Sequence, residues 1–346
     1  MAPTTQTEPS APRAGLPAVA ASDTLSEIAG VLGRARRVLV FCHMNPDGDA
    51  LGSMLGLGWL LRALRPNGTE EAYLTALVCA DVVPSKLAYL PGADQITAAP
   101  PAGPWDAVVV LDSSDAKRVN ASFQGEAFRP APVIVLDHHV TNLHFGTLNY
   151  VNARAASTSE IVVDLADELG VTIGLEAALC LLTGVVTDTL GFRTSNVTPR
   201  VLAIAARLME AGADLHRITE LTLGNRPLSI MRLWGLALSR LRLEEGVLWT
   251  EVTREMRERA GVLDEDDGGL VSHLITAHEA RVAAVFGELD DGTIDIDLRA
   301  TLPFEVASVA LRLDGGGHPQ ASGCHLPGPL ADAERRVLAL LREAAR

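Results

Sequence analysis

The chain has 346 residues, 48% of them hydrophobic and 21% charged, with a formal net charge of −14. That is apolar material for two cored domains of ordinary size, and too much for wholesale disorder. No apolar run reaches the roughly 18–20 residues of a membrane-spanning helix. The acidic balance disfavours an extended, sequence-independent grip on duplex nucleic acid, which needs many cationic contacts.

Residues 1–22 are rich in Pro, Thr and Ala, carry Arg13 as their one basic residue and contain no sustained apolar core. They read as a disordered tail without a secretion signal, and a cytoplasmic location is expected. The four cysteines (Cys42, Cys79, Cys180, Cys324) are scattered with no C-x-x-C spacing. This speaks against a disulfide framework and against a zinc ribbon.

Residues 37–42 form a β-branched apolar run that ends in a Gly/Pro/Asp loop, and 52–64 read as a helix. Residues 76–80, 107–111 and 132–136 are further short apolar runs, too unalternating for a half-exposed sheet. Spaced by helices, such runs indicate a parallel sheet covered on both faces. Residues 158–169, 175–186 and 199–211 read as helices, the last ending at Gly212. The stretch 214–242 is helical in pattern and Arg-containing, and serves as a connector. Residues 247–252, 280–286 and 293–298 then read as strands of a second, smaller α/β domain, closed by a helix at 330–345. The expected architecture is α/β: a tail at 1–22, a Rossmann-like parallel-sheet domain at 23–213, a helical linker at 214–242 and a smaller α/β domain at 243–346.

Three of the four early runs finish in a residue able to bind a metal. The first ends at His43, followed by Asn45-Pro46-Asp47-Gly48-Asp49; the others end at Asp112 and at Asp137-His138-His139. In an open parallel sheet the ligand crevice lies beyond the carboxyl ends of the strands, so these side chains are expected to converge. A single Asp there could be a helix N-cap or an Asx turn, and Asp115 is read that way. Several ionised carboxylates in one crevice are tolerable with cations among them. Two divalent ions would offset the charges of Asp47, Asp49, Asp112 and a fourth Asp.

The segment His43 to Ser53 (HMNPDGDALGS), the Asp112 strand end, Asp137-His138-His139 and Gly184 to Thr189 (GVVTDT) resemble, in order, the four motifs of the DHH phosphoesterases. Gly315-Gly316-Gly317-His318 with Ala321-Ser322-Gly323 resembles the signature of the DHHA1 substrate domain. The chain looks most like the nanoRNase subgroup, which joins oligoribonuclease and 3′-phosphoadenosine 5′-phosphate phosphatase activities. It has no inserted single-strand-binding domain as in RecJ-like exonucleases and no membrane helices as in the large cyclic-dinucleotide phosphodiesterases. The resemblance implies that His43, Asp47, Asp49, Asp112, His138 and Asp188 hold two metal ions, with Asp112 between them. It puts His139 beside the phosphoryl oxygens, with Asp112 and His139 as the catalytic pair, and leaves Asp137 to orient a histidine. The donor set suits Mn²⁺, with Mg²⁺ or Co²⁺ acceptable and no thiolate to select zinc. Arg299, Gly315, Gly316, Gly317 and His318 would grip the substrate's far end. Thr187, Ala300 and Asp314 depart from the family pattern, which commonly has Gly, Ser and Gly there.

Eight arginines against three acids make the stretch from Arg193 to Arg242 locally basic. Most read as a solvated helix face; Arg193, five residues beyond Asp188, is the candidate substrate contact. His216, His273, His278 and His325 read as structural. The expected activity is Mn²⁺-dependent hydrolysis of short oligonucleotides (nanoRNA or short single-stranded DNA) to mononucleotides, with nucleoside bisphosphates as further substrates. One alternative is a phosphodiesterase for cyclic dinucleotides such as c-di-AMP, or for linear dinucleotides. Another is a non-catalytic nucleotide-binding regulator. A homodimer is implied by the resemblance.

Overall fold

The computed structural model describes residues 23–65, 74–119, 123, 125–224, 226–262 and 267–346. The tail expected at 1–22 lies outside the described residues. Thr24 and Glu27 form a reciprocal capping box that starts α1 (Leu25–Arg34). There follow β1 (Arg37–Phe41), α2 (Gly48–Ala63), β2 (Leu74–Val78), β3 (Ala107–Leu111), the single turn α3 (Ala116–Val119), β4 (Val133–Asp137) and β5 (Leu148–Val151). Three helices complete this part: α4 (Thr158–Glu168), α5 (Leu175–Asp188) and α6 (Pro199–Glu210).

The strands pair in the order β2-β1-β3-β4-β5, all parallel. Sheet growth reverses between β1 and β3, which opens a crevice beyond their carboxyl ends. The long helices cover the face bearing Val38, Val40, Val109, Leu111, Ile134 and Leu136. The opposite face, with Leu39, Phe41, Val108, Val110 and Val135, is covered by Trp105, Phe123, Phe128 and Phe145 from loops and short turns. Among the described residues the β3–β4 and β4–β5 connections carry no helix longer than one turn, so aromatic rings supply the area instead.

Among the elements that differ from the sequence reading are α2 and β5. Helix α2 begins at Gly48 rather than 52, because Asp47 is its N-cap and accepts from the Asp49 and Ala50 amides. The acidic loop is therefore largely a helix start. Strand β5 is a four-residue edge containing Asn149 and Tyr150, too short and polar to register as an apolar run.

A helical stretch follows: α7 (Leu215–Thr219), a π-helical turn at Glu220–Gly224 and α8 (Leu228–Leu238). The second sheet then forms from β6 (Arg242–Glu244), β7 (Val247–Val252), β8 (Val282–Glu288), β9 (Thr293–Ala300), β10 (Gly316–His318) and β11 (Ala321–Pro327). Its helices are α9 (Arg254–Ala260), α10 (Leu270–Leu274), α11 (Ala307–Leu311) and α12 (Leu330–Ala344). Strand order is β10-β11-β9-β8-β7-β6, with β7 and β8 parallel and the other pairs antiparallel. Alternation along β9 sends Ile294, Ile296, Leu298 and Ala300 into a core shared with α12. Its other face is half-exposed and polar. The β10–β11 hairpin was not anticipated, since glycine-rich segments lack the β-branched signature of strands. No helix among the described residues is long and apolar enough to cross a membrane.

Candidate metal centre

His43 follows β1. Its Nδ1 lies 2.7 Å from the Met44 carbonyl oxygen, which can only accept, so Nδ1 carries the hydrogen and Nε2 faces the crevice. There Nε2 stands 3.5 Å from Asp112 Oδ2 and 3.9 Å from Asp47 Oδ1. Asp112, the first residue past β3, has φ +56. Left-handed backbone at a non-glycine residue costs about 1–3 kcal/mol and persists where the surroundings over-determine it. Here Thr158 Oγ1 donates to Oδ1 at 3.0 Å, and His138 Nε2 and His139 Nδ1 lie 3.5 and 3.6 Å from the same oxygen.

At the end of β4, Asp137 is fully buried and acts as an orienter. Its Oδ1 accepts from the His138 amide at 2.8 Å and from His139 Nδ1 at 2.7 Å, and its Oδ2 accepts from Asn142 Nδ2 at 2.6 Å. His138 Nδ1 faces the Ala155 carbonyl, which turns Nε2 to within 3.2 Å of Asp188 Oδ2 and 3.9 Å of Asp49 Oδ2. Asp188 is the last residue of α5, which reaches the crevice by packing tightly on α2. A Cβ at Gly52 would stand 2.5 Å from the Cys180 carbonyl oxygen, so the helices can approach this closely only with glycine there. Thr187, where the family often has glycine, bonds back to the Thr183 and Gly184 carbonyls, and its methyl packs where Gly48 has no side chain. Asp49 is completely buried in the first turn of α2, and its two oxygens accept from the amides of Thr158 at 2.6 Å and Ser159 at 2.9 Å. The amino end of α4 thus holds a carboxylate, as helix dipoles favour.

The electrostatics describe a cluster short of positive charge. Burial and the neighbouring carboxylates push Asp49 well above the usual carboxylate range, and burial raises Asp188. Burial also opposes ionisation of Asp112, but hydrogen bonds to His138 and His43 outweigh it and hold its pKa well down. Burial lowers His43, yet its hydrogen bond with Asp112 and the charges of Asp47 and Asp112 win, and its pKa rises to about 9. His138 rises for the same reasons, through Asp112 and Asp188. Imidazolium protons thus supply part of the charge that cations would supply. Among the described residues four groups have donor atoms within 4.8 Å of one another: His43, Asp47 and Asp112; Asp49, His138 and Asp188; Asp112, Asp137 and His139; and His138, His139 and His318. Oxygen and imidazole donors, largely buried apart from the exposed Asp47 and under-compensated, fit divalent ions.

The second sheet reaches this cluster through His318, whose ring stacks on His139 with centroids 4.6 Å apart and lies 4.9 Å from His138. Burial and the charges of His139 and His138 lower the His318 pKa to about 3, so it is neutral. His318 pairs with Ala321, which pairs with Arg299, so the three share one row and one face of the sheet. Arg299 donates to the Leu298 carbonyl at 2.9 Å. Gly315, Gly316 and Gly317 lead into His318. Gly317 has φ +137, and Asp314 occupies the left-handed region at φ +59, the conformation that a glycine there would adopt without strain. Ala300 is buried in the core beneath Arg299. Arg193 is exposed and donates to the Leu190 carbonyl, and no described contact joins it to the cluster. In the basic stretch, Arg200, Arg207, Arg240 and Arg242 are in ion pairs with Glu160 and Asp164, Asp167, Glu251 and Glu334. His216 and His325 pair with Glu220 and Asp295, and His273 stacks on Trp234.

Sequence reasoning missed Thr158, Ser159 and Asn142, which hold the carboxylates rather than face the crevice. The readable signal was Ser157-Thr158-Ser159-Glu160 at a helix start, where amides lack partners.

The model of the DHH family, N-terminal domain, matches residues 37–185. The chain is 37% identical over 313 residues to the bifunctional oligoribonuclease and PAP phosphatase NrnA of Thermus thermophilus, covering 88% of this chain and 89% of that protein. It is 27% identical to the Bacillus subtilis protein of the same name, covering 84% and 89%. Among solved structures, an exopolyphosphatase-related protein from Bacteroides fragilis superposes with a TM-score of 0.81 at 24% identity, covering 93% of this chain and 97% of that one; it supports the fold.

Proposed function

The chain belongs to the DHH family, and on that premise we propose that it is a two-cation phosphoesterase that hydrolyses short oligonucleotides to mononucleotides and removes a phosphate from 3′-phosphoadenosine 5′-phosphate. The relatives at 37% and 27% identity carry both activities in their names. The observation that carries the reading is the convergence of His43, Asp49, Asp112, His138 and Asp188 on one buried cluster.

His43, Asp47 and Asp112 would hold one cation and Asp49, His138 and Asp188 the other, with Asp112 between them. Mn²⁺ suits this oxygen-rich, imidazole-containing set, with Mg²⁺ or Co²⁺ as substitutes. Two divalent cations at such a site lower the pKa of water and offset charge on phosphoryl oxygens. The chain's own groups do the rest. His139, fixed by Asp137, directs Nε2 toward the phosphoryl oxygens and stabilises charge as the phosphorus–oxygen bond to the leaving nucleoside breaks. Arg299, His318 and the amides around Gly315, Gly316 and Gly317 hold the substrate's far end. The stack of His318 on His139 brings the β10–β11 hairpin directly over the cluster, which limits the room there and favours short substrates. The reading includes a cytoplasmic homodimer.

Chromatography of the products of end-labelled two- to ten-mers in Mn²⁺ tests it: mononucleotides released fastest from the shortest oligomers are expected. Comparing kcat/KM on a dinucleotide, a cyclic dinucleotide and the bisphosphate separates it from a cyclic-dinucleotide phosphodiesterase. Tight nucleotide binding with no Mn²⁺-stimulated hydrolysis would overturn it in favour of a regulator.

A further inference from the structure

We propose that Thr158 is a positioning residue for the cation centre: its hydroxyl orients Asp112 while its backbone N–H orients Asp49. The inference rests on the two-cation reading and concerns a residue that acts only through those two carboxylates.

Thr158 is the first residue of α4 and is completely buried. The turn it starts is pinned from both ends. Ser157 Oγ accepts from the Glu160 amide at 3.1 Å, and the Glu160 carboxylate accepts from the Ala156 amide at 2.8 Å. Arg200 in turn holds Glu160. From this fixed point Thr158 N–H donates to Asp49 Oδ2 at 2.6 Å, beside the Ser159 N–H on Oδ1, so the Asp49 carboxylate is gripped through both oxygens. The Thr158 hydroxyl donates to Asp112 Oδ1 at 3.0 Å. One residue therefore ties a carboxylate of α2 to one at the end of β3.

Asp112 needs such a partner. The terminal torsion of an Asp side chain is broad, so even a constrained backbone leaves the carboxylate plane undetermined. The imidazoles around Asp112 stand at 3.5–3.6 Å, and the Thr158 hydroxyl is its closest described side-chain contact. A carboxylate oxygen has two lone pairs, so a hydroxyl on one leaves the other for a cation. The β-branch of threonine restricts its own χ1, which makes the donor direction definite.

Three variants test this. Thr158→Val removes the hydroxyl while keeping the β-branch and the N–H; Thr158→Ser keeps the hydroxyl and loses the methyl; Thr158→Ala loses both. Mn²⁺ binding to the metal-stripped protein is read by calorimetry, the metal-free Tm by thermal unfolding, and kcat and KM on a dinucleotide at saturating Mn²⁺. Thr158→Val and Thr158→Ala should weaken Mn²⁺ binding about ten- to hundredfold and lower kcat with KM unchanged. Thr158→Ser should bind Mn²⁺ as the wild type does. Wild-type affinity in Thr158→Val overturns the inference. Should that variant not fold, equal Mn²⁺ affinity in the Ser and Ala variants overturns it, since they differ in the hydroxyl alone. A wild-type protein that binds no Mn²⁺ overturns the two-cation reading itself, a distinguishable result.

Discussion

The two sheets of this molecule solve opposite problems. The first is all parallel and buried on both faces, and its strand ends gather acids that repel one another and must be offset. The second is largely antiparallel: β7 and β8 are buried on both faces, β9 keeps one face half-exposed and polar, and what the sheet presents to the cluster is a neutral imidazole and a glycine-rich hairpin. Dense charge sits where low dielectric amplifies it, whereas the proposed recognition residues sit on the wetter strands β9 and β10. The division predicts that substitutions in the first sheet act on turnover and those in the second on affinity.

The largest effect that could break this contrast is at Asp112. Asp112→Ala should lower kcat by more than the ~10²–10³-fold that loss of one charge-stabilising donor costs, with the far-ultraviolet circular dichroism of a folded protein; retained activity would dismiss the cluster as the reaction centre. His139→Ala comes next, with kcat expected to fall ~10²–10³-fold, about 2.7–4 kcal/mol of barrier, and KM little changed in steady-state assays. Arg299→Ala and His318→Ala should raise KM for a dinucleotide about ten- to hundredfold, the worth of a hydrogen bond to a charged group. A pure kcat loss in either would erase the distinction between the sheets. The smallest effect is on pH. In the metal-free protein His43 keeps its proton up to about pH 9, so below that pH a cation must displace it. Mn²⁺ affinity should therefore weaken on acidification below 9, by at most about tenfold per pH unit for this one proton, and level off above it. Calorimetry in buffers of different ionisation enthalpy would register the released proton.

Much of this was legible along the chain. The runs ending at His43, Asp112 and Asp137 announce buried parallel strands, because a strand covered on both faces must be apolar at nearly every position. Metal-capable residues at three such ends imply a shared crevice, and the structure brings those side chains together. Less legible was the start of α2. Asp47 caps it, and an Asp-Gly-Asp segment reads equally well as a loop until its amides are seen to need a partner. The β10–β11 hairpin was hidden by its glycines, and β5 by its length. Arg193, five residues beyond Asp188, donates to the Leu190 carbonyl, a local contact that sequence spacing does not reveal.

Local pattern alone determined the α/β class, the apolar strands and the residue types that could bind cations, since periodicity and side-chain chemistry are properties of short segments. Tertiary structure decided which of them meet. The approach of α5 to α2 at Gly52, the grip of α4's first turn on Asp49 and Asp112, and the seating of His318 on His139 join segments far apart along the chain. Such contacts depend on packing geometry and on where unpaired amides find acceptors, and neither is written in any one stretch of residues.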